Sequence, residues 1–243
     1  MEKSYAESFA LRTCHCDMHG EWRPGAILEA MQETAGTHCA QLGIGRDVTD
    51  GLGIVWVLSR AQVRLDRVPR MGERMTVETW PLPPRHLFYP RINEFRDGAG
   101  KVIGTATSLW LLLDVATRHI VNSDEVLAHL PDNADIRGAM PAMPRIPAGE
   151  PEAAEFLPPY ADFDLNGHVN NTKYLDWTAS ALGHAAMAAY RMKGFCVSYD
   201  SEIRPDQAVR TELIRGDGCF GFAGYVGDKR CFGVSGELER RAT

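Results

Sequence analysis

The sequence predicts an α+β fold of two tandem units, each a long helix packed on a curved antiparallel sheet. Three observations predict it. A short polar run heads each half of the chain, a long amphipathic segment follows each run, and a series of strand-like segments follows each amphipathic segment. A helix leading into an antiparallel meander is the α+β pattern. The 243 residues suffice for two units of roughly 120 each.

The two heads align in register. Asp17-Met-His-Gly-Glu-Trp-Arg-Pro-Gly-Ala-Ile27-Leu28 and Asp164-Leu-Asn-Gly-His-Val-Asn-Asn-Thr-Lys-Tyr174-Leu175 share Asp, Gly and Leu, with Met18 against Leu165 a like-for-like match. After the first head, Ile27, Leu28, Met31, Ala35, Cys39 and Leu42 form one apolar stripe at helical spacing. After the second, Tyr174, Trp177, Ala181, Ala185 and Ala188 do the same.

Strands are expected over Ile54–Leu65, Arg74–Trp80, Arg91–Phe95 and Val102–Leu113, the last putting Ile103, Thr105, Thr107, Leu109, Leu111 and Leu113 on one face. Asp97-Gly98 with Gly100 marks the hairpin between the last two. The second half repeats the pattern over Phe195–Ile203, Val209–Ile214, Cys219–Val226 and Arg230–Leu238, with turns at Gly216-Asp217-Gly218 and Gly227-Asp228. Between the halves, residues 131–159 carry Pro131, Pro141, Pro144, Pro147, Pro151, Pro158 and Pro159. Proline fixes φ and lacks the amide donor, so this segment is a connector and neither a central strand nor a continuous helix. The units then run over residues 1–130 and 160–243.

Composition narrows the function classes. No run approaches the roughly 18 apolar residues of a membrane span. The N-terminus lacks the apolar core of a secretory signal and the Arg- and Ser-rich character of a transit peptide, so a cytosolic, bacterial-type protein is expected. A net charge of −6 argues against general nucleic-acid binding. The six cysteines are scattered, which does not suggest a disulfide framework. Cys14-His15-Cys16 with His19 has some metal-ligand character, but no second well-spaced pair completes four ligands; the plainer reading is a strand with small buried thiols, and no metal is expected. No glycine-rich phosphate loop is present, so no nucleotide cofactor is expected.

The second head is the most informative run. Asp164, Asn166, His168, Asn170 and Asn171 crowd one short turn before a helix. One reading is a helix start, because Asn and Asp cap helices well. The other is an active site, where carboxylate, amide and imidazole converge at a helix N-terminus whose N–H groups could hold an oxyanion. A cap needs one such residue and the run supplies five, which favours the site.

The run Asp164-Leu-Asn-Gly-His-Val-Asn-Asn-x-x-Tyr174-x-x-Trp177 resembles the signature of the acyl-[acyl carrier protein] thioesterases of plants and bacteria. The resemblance implies two tandem hot-dog units, hydrolysis of an acyl thioester to a free fatty acid, acyl carrier protein as partner, and no cofactor. It implies a catalytic set of Asp164, Asn166, His168 and Glu202, with Asn170, Asn171, Tyr174, Trp177 and Trp56 binding substrate. Backbone N–H groups near His168 to Asn170 would hold the oxyanion. The family has also been read with a cysteine next to the acidic residue. Here that position is Ile203, so attack by an activated water is expected instead of a thiol nucleophile.

For Glu202 a second reading is a solvated strand face, with Asp200 or Glu202 paired to Arg204. In the first half His19 and Glu21 stand at the positions of Asn166 and His168, so that half reads as a degenerate copy. It would shape an acyl pocket from Leu28, Met31, Trp56, Leu58 and Trp110, residues that a plain core would also contain. The segment Arg60–Arg96 is rich in arginine, and Arg64, Arg67 and Arg91 are candidates for docking an acidic carrier; scattered solvating arginines are the alternative. Rival functions on the same reading are an acyl-CoA thioesterase, a hot-dog hydratase or dehydratase, and a non-catalytic acyl-binding protein. A homodimer is compatible with all of them.

Overall fold

Alternating apolar residues drive the larger share of the regular structure into antiparallel strands, and the computed structural model describes residues 2–135 and 143–241. They form two units. The first takes residues 2–22 and 27–135; the second takes residues 23–26 and 143–241.

The first unit contains β1 (Tyr5–Ala10), α1 (Pro24–Gln41, whose first turn belongs to the second unit), α2 (Arg46–Gly51), β2 (Ile54–Leu65), β3 (Arg74–Pro81), β4 (Tyr89–Asp97), β5 (Val102–Asp114), β6 (Ile120–Val121) and α3 (Asp124–Ala128). Its antiparallel sheet runs β1-β3-β4-β5-β2, with β6 on β5. The β4–β5 hairpin closes where expected: the Asp97 carboxylate accepts from the amides of Ala99 and Lys101, and Gly100 has φ +81°.

On α1 the expected stripe holds at Ile27, Leu28, Met31, Ala35 and Leu42, all buried. The stripe also buries Thr34 and His38, which apolar periodicity did not reveal. On β5 both faces are covered, but the deepest residues, Ala106 and Leu112, lie on the face opposite to the expected one. The strand is therefore read better by its small residues than by its Leu alternation. Four elements of this unit gave too weak a pattern to be anticipated: β1, α2, β6 and α3.

Arg91 departs from expectation. It is 5% exposed, not a surface cation. Its guanidinium lies 3.1 Å from His38 Nδ1 and donates to Thr79 Oγ1 and Cys39 Sγ at 3.4 Å each. Burial, and then the Arg91 charge, lower the His38 pKa from 6.5 to about 4, so the ring is a neutral acceptor for the guanidinium. An unfolded chain takes up the His38 proton below about pH 6.5, the folded chain only below about 4. Acidification through that window therefore favours unfolding, and the loss amounts to about 3 kcal/mol. His38→Asn lacks this proton, so its stability should depend less steeply on pH between 6.5 and 4 in urea unfolding. An unchanged slope would remove His38 as the sensor.

The second unit contains β7 (Glu152–Phe156), α4 (Lys173–Ala189), β8 (Tyr190–Tyr199), β9 (Val209–Arg215), β10 (Cys219–Val226) and β11 (Lys229–Arg240). Its sheet runs β8-β11-β10-β9-β7, again antiparallel. Strand β7 lies inside the expected connector and pairs at the sheet edge, where flanking prolines cost no ladder bond. Asn133 also anchors the connector, donating to the carbonyls of Lys3 and Pro81. Pro141 lies outside the described residues.

The α4 stripe holds only in part. Tyr174 and Trp177 are buried, but Ala185 and Ala188 are exposed. Leu175, Thr178 and Leu182 take the core side instead. The cause is Gly183, whose φ of +83° and ψ of 161° break the helix. Beyond that kink the apolar period no longer reports a single face.

Candidate active site

Both heads fold into the same turn. In the second unit a 3-10 turn (Tyr160–Asp162) leads to a bridge between Phe163 and Val169. Between them the Asp164 amide donates to the His168 carbonyl, Gly167 N–H to the Asp164 carbonyl, and Asn166 N–H to Asp164 Oδ1 at 2.8 Å. Gly167 sits at φ +75°, which an L side chain rarely adopts. In the first unit a 3-10 turn (Thr13–His15) leads to a bridge between Cys16 and Trp22, the Asp17 amide donates to the Glu21 carbonyl, and the amides of His19 and Glu21 donate to Asp17 Oδ1. Gly20 has φ +70°. The Asp and Gly shared by the two heads are thus the residues that make the turn. The expected buried-thiol strand at Cys14-His15-Cys16 is instead this 3-10 turn, with Cys14 exposed. Among the described residues no cluster of His, Cys, Asp or Glu is arranged to hold a metal.

The turn in the second unit presents His168 to Glu202. His168 Nε2 lies 3.1 Å from Glu202 Oε2, with the two side chains 25% and 32% exposed. Glu202 is not on a strand, as expected from alternation; β8 ends at Tyr199. The amides of Asp200 and Ser201 both donate to the Cys231 carbonyl, which turns the chain out of the ladder, and Val169 N–H then donates to the Ile203 carbonyl. That last bond pins the segment after β8 against the His168 turn. Trp22 N–H donates to the Pro69 carbonyl in the same way. By this register Val68 stands where Glu202 stands, and Glu21 where His168 stands. The first unit therefore lacks both the imidazole and its carboxylate partner, which is the physical content of its degeneracy.

Several expected substrate contacts have other duties. Asn170 Oδ1 accepts from the Thr172 amide and hydroxyl, so this side chain starts α4. The Asn171 carbonyl accepts from the Tyr199 hydroxyl. Trp177 donates its indole N–H to Asp162 Oδ2 at 2.8 Å and packs edge-on against Phe156. Tyr174 stacks on Phe232 at 4.2 Å. Burial, with the nearby Cys231, Asp164 and Glu202, raises the Tyr174 pKa, so its hydroxyl stays neutral. Tyr174 and Trp177 are thus core residues around which the turn is built, and Asp164 and Glu202 both lie within electrostatic reach of Tyr174. Of the amides near His168 to Asn170 expected to hold the oxyanion, two are engaged: Val169 N–H by the Ile203 carbonyl and Asn170 N–H by the Asp162 carbonyl. Asn166, at the exposed tip, is the polar residue of the set turned to solvent. Asp162, which holds both Trp177 and Asn170, was missed; only its place just before the motif could have pointed to it.

In the first unit Leu28, Met31, Gln32, Leu58, Ala61, Ser108 and Trp110 line a narrow cleft between α1 and the sheet. Trp56 is not among them. Its indole N–H donates to the Ile44 carbonyl and its ring packs edge-on against Tyr89 in a core cluster that Trp110 also borders. Arg67 is partly exposed but ion-paired with Glu73 and Asp97; Arg96 pairs with Glu78 and Glu94, and Arg70 with Glu21. The surplus of arginine in this segment is thus partly neutralised on its own surface.

A duplicated helix-on-sheet unit with an Asp-x-Asn-Gly-His turn facing a glutamate in one copy has the layout that the resemblance implied. Family comparison agrees: the acyl-ACP thioesterase N-terminal domain matches residues 2–130 and the C-terminal domain residues 147–219. The chain belongs to the acyl-ACP thioesterase family. It is 27% identical over 230 residues to oleoyl-acyl carrier protein thioesterase 2 of Arabidopsis thaliana, covering 85% of this chain and 61% of that protein. It is 25% identical over 227 residues to the dodecanoyl-[acyl-carrier-protein] hydrolase of Umbellularia californica, covering 85% and 58%. The chain spans 54% to 62% of the length of such curated relatives. Among solved structures, an acyl-ACP thioesterase from Bacteroides thetaiotaomicron superposes with a TM-score of 0.85 at 23% identity, over 98% of both chains. The 12:0-ACP thioesterase of Umbellularia californica gives 0.83 at 22%, over 99% of both. These likenesses show the hot-dog fold.

Proposed function

We propose that this protein hydrolyses the thioester of acyl-[acyl carrier protein], releasing a free fatty acid, through a water activated by Glu202 and His168. The observation that carries this reading is the 3.1 Å contact between His168 Nε2 and Glu202 Oε2 at a site open to solvent. The pair takes a proton from water as its oxygen adds to the carbonyl carbon. The tetrahedral intermediate then collapses, the C–S bond breaks, and the same proton passes to the leaving sulfur. Asn166 holds the carbonyl or the water, and Asp164 fixes the turn that carries Asn166 and His168. No thiol nucleophile is needed, in keeping with Ile203 beside Glu202.

The cleft of the first unit would take the acyl chain. The cleft is too narrow to hold an acyl chain as it stands, so the flexible Met31 would have to move aside. The test is to incubate the protein with matched acyl-carrier and acyl-CoA substrates. Thiol release should be followed with a thiol-reactive dye and free fatty acid by mass spectrometry. Fatty acid and thiol in equal amounts, formed faster from the carrier substrate, support the reading. Stoichiometric binding without turnover, or conversion without free thiol, would overturn it.

Arg64 and Arg67 are the proposed docking cations for the acidic carrier. Their reversal to Glu should raise KM for acyl-carrier substrates more than for short acyl thioesters, most clearly at low salt. Equal effects on both substrates would remove this face. A cytosolic location and a homodimer go with the proposal, to be tested by fractionation and size-exclusion chromatography. Among the described residues no helix is long and apolar enough to cross a membrane.

A further inference from the structure

The contact that completes the pair comes from a third residue. Arg204 Nη2 lies 3.4 Å from Glu202 Oε2, the same oxygen that faces His168. Its side chain is 64% exposed, so it reaches the carboxylate from the solvent side. The backbone around it is set by a tight turn. Arg204 N–H donates to Gln207 Oε1 at 2.7 Å, and Gln207 N–H returns to the Arg204 carbonyl at 3.4 Å. Pro205 fixes φ at the second position, and Asp206 adopts φ +65° at the third, a conformation a non-glycine residue holds only when its surroundings impose it.

The degenerate copy supplies an internal comparison. There the bond from Trp22 N–H to the Pro69 carbonyl matches that from Val169 N–H to the Ile203 carbonyl, so Arg70 stands at the register of Arg204. Arg70 Nη2 lies 3.5 Å from Glu21 Oε1. The backbone thus delivers a guanidinium to a carboxylate at this place in both units, although the carboxylate comes from a different position in each.

The charge balance explains what the guanidinium does in the second unit. Arg204 touches the pair at Glu202, and the Tyr174 hydroxyl from α4 lies in the field of Glu202, Asp164 and Cys231. Asp164 and Glu202 both act on the Tyr174 hydroxyl, so two carboxylates share this neighbourhood. A guanidinium 3.4 Å from Glu202 Oε2 favours the ionised carboxylate over the protonated one.

We propose that Arg204 is a positioning residue that keeps the Glu202–His168 pair deprotonated and holds Glu202 Oε2 toward His168. This rests on the thioesterase reading for its catalytic meaning, but its electrostatic content can be measured without turnover. A fixed positive charge favours the deprotonated pair, so its loss strengthens proton binding. In Arg204→Met the acid limb of kcat/KM should move up by about half to one pH unit, a shift suited to a partly exposed charge a few ångströms away. Activity should fall several-fold below that limb and recover above it. Arg204→Lys should restore most of the wild-type profile. A short acyl thioester is the substrate, so that carrier docking does not enter.

In parallel, the His168 imidazole is titrated by NMR in wild type, Arg204→Met and Arg204→Lys, with thermal melts to confirm folding. An upward shift of the His168 midpoint in Arg204→Met, reversed in Arg204→Lys, supports the proposal. An unchanged midpoint, or a lysine variant no different from the methionine variant, overturns it. If wild type releases no thiol while the NMR shift appears, the thioesterase reading fails and the role of Arg204 stands.

Discussion

Alanine at His168 or at Glu202 should lower kcat by about 100-fold or more, equivalent to about 2.7 kcal/mol of transition-state stabilisation. The two side chains touch at 3.1 Å and present one basic unit to solvent. Removing either leaves the other without the partner that takes or orients the proton. The double variant should therefore cost little more than the worse single change, because groups acting as a unit are strongly non-additive. Asp164→Ala and Asn166→Ala should also lower kcat. Asp164→Ala should in addition lower stability, since Asp164 Oδ1 accepts the Asn166 amide that closes the turn. The matching changes Asp17→Ala, His19→Ala and Glu21→Ala should alter stability or chain-length preference far more than kcat, because Val68 leaves that copy without a partner carboxylate. Rates of thiol release from folded variants decide the matter. Activity that survives at His168 and Glu202 but disappears at His19 and Glu21 would place the chemistry in the first unit.

Much of this arrangement was legible in the sequence, for physical reasons that can be named. The Asp and Gly common to both heads make the turn, one by accepting backbone amides and the other by adopting positive φ, so they survive in both copies and reveal the repeat. Strands β2 and β10 begin and end where the alternation of apolar residues predicts. What was not legible depends on tertiary context. Alternation along 195–204 carried Glu202 on a strand, whereas paired bonds to the Cys231 carbonyl turn the chain out after Tyr199. The alanines of α4 kept helical spacing beyond Gly183, but the break there sends them to solvent. Tyr174 and Trp177 stand in the motif where substrate contacts are expected. Their partners Phe232, Phe156 and Asp162 lie elsewhere in the chain, so only the folded unit shows them to be its core.

Arg91 is where local sequence misled most, and it carries the second large expected effect. Arg91→Glu should lower the free energy of unfolding by about 3–5 kcal/mol. Arginine clusters usually mark exposed strand positions, and the sequence offered no reason to separate Arg91 from Arg64 or Arg67. In the fold it lies on β4 beneath α1, with His38, Thr79 and Cys39 as hydrogen-bond partners. These partners suit a buried cation and are arranged to receive donors. A carboxylate in its place could not donate to His38 Nδ1 and would be buried without a cation. Arg91→Met tests the charge apart from the volume. It keeps an apolar stem, removes the repulsion that helps hold His38 neutral, and should let the His38 pKa rise from about 4. Arg67→Glu, on a partly exposed ion pair, should change stability by no more than about 1 kcal/mol. Urea unfolding of the three variants at neutral pH separates the roles. A well-folded Arg91→Glu protein with wild-type stability, and a KM defect confined to acyl-carrier substrates, would return Arg91 to the docking face. Loss of stability in Arg91→Glu alone fixes it as part of the framework that holds α1 on its sheet.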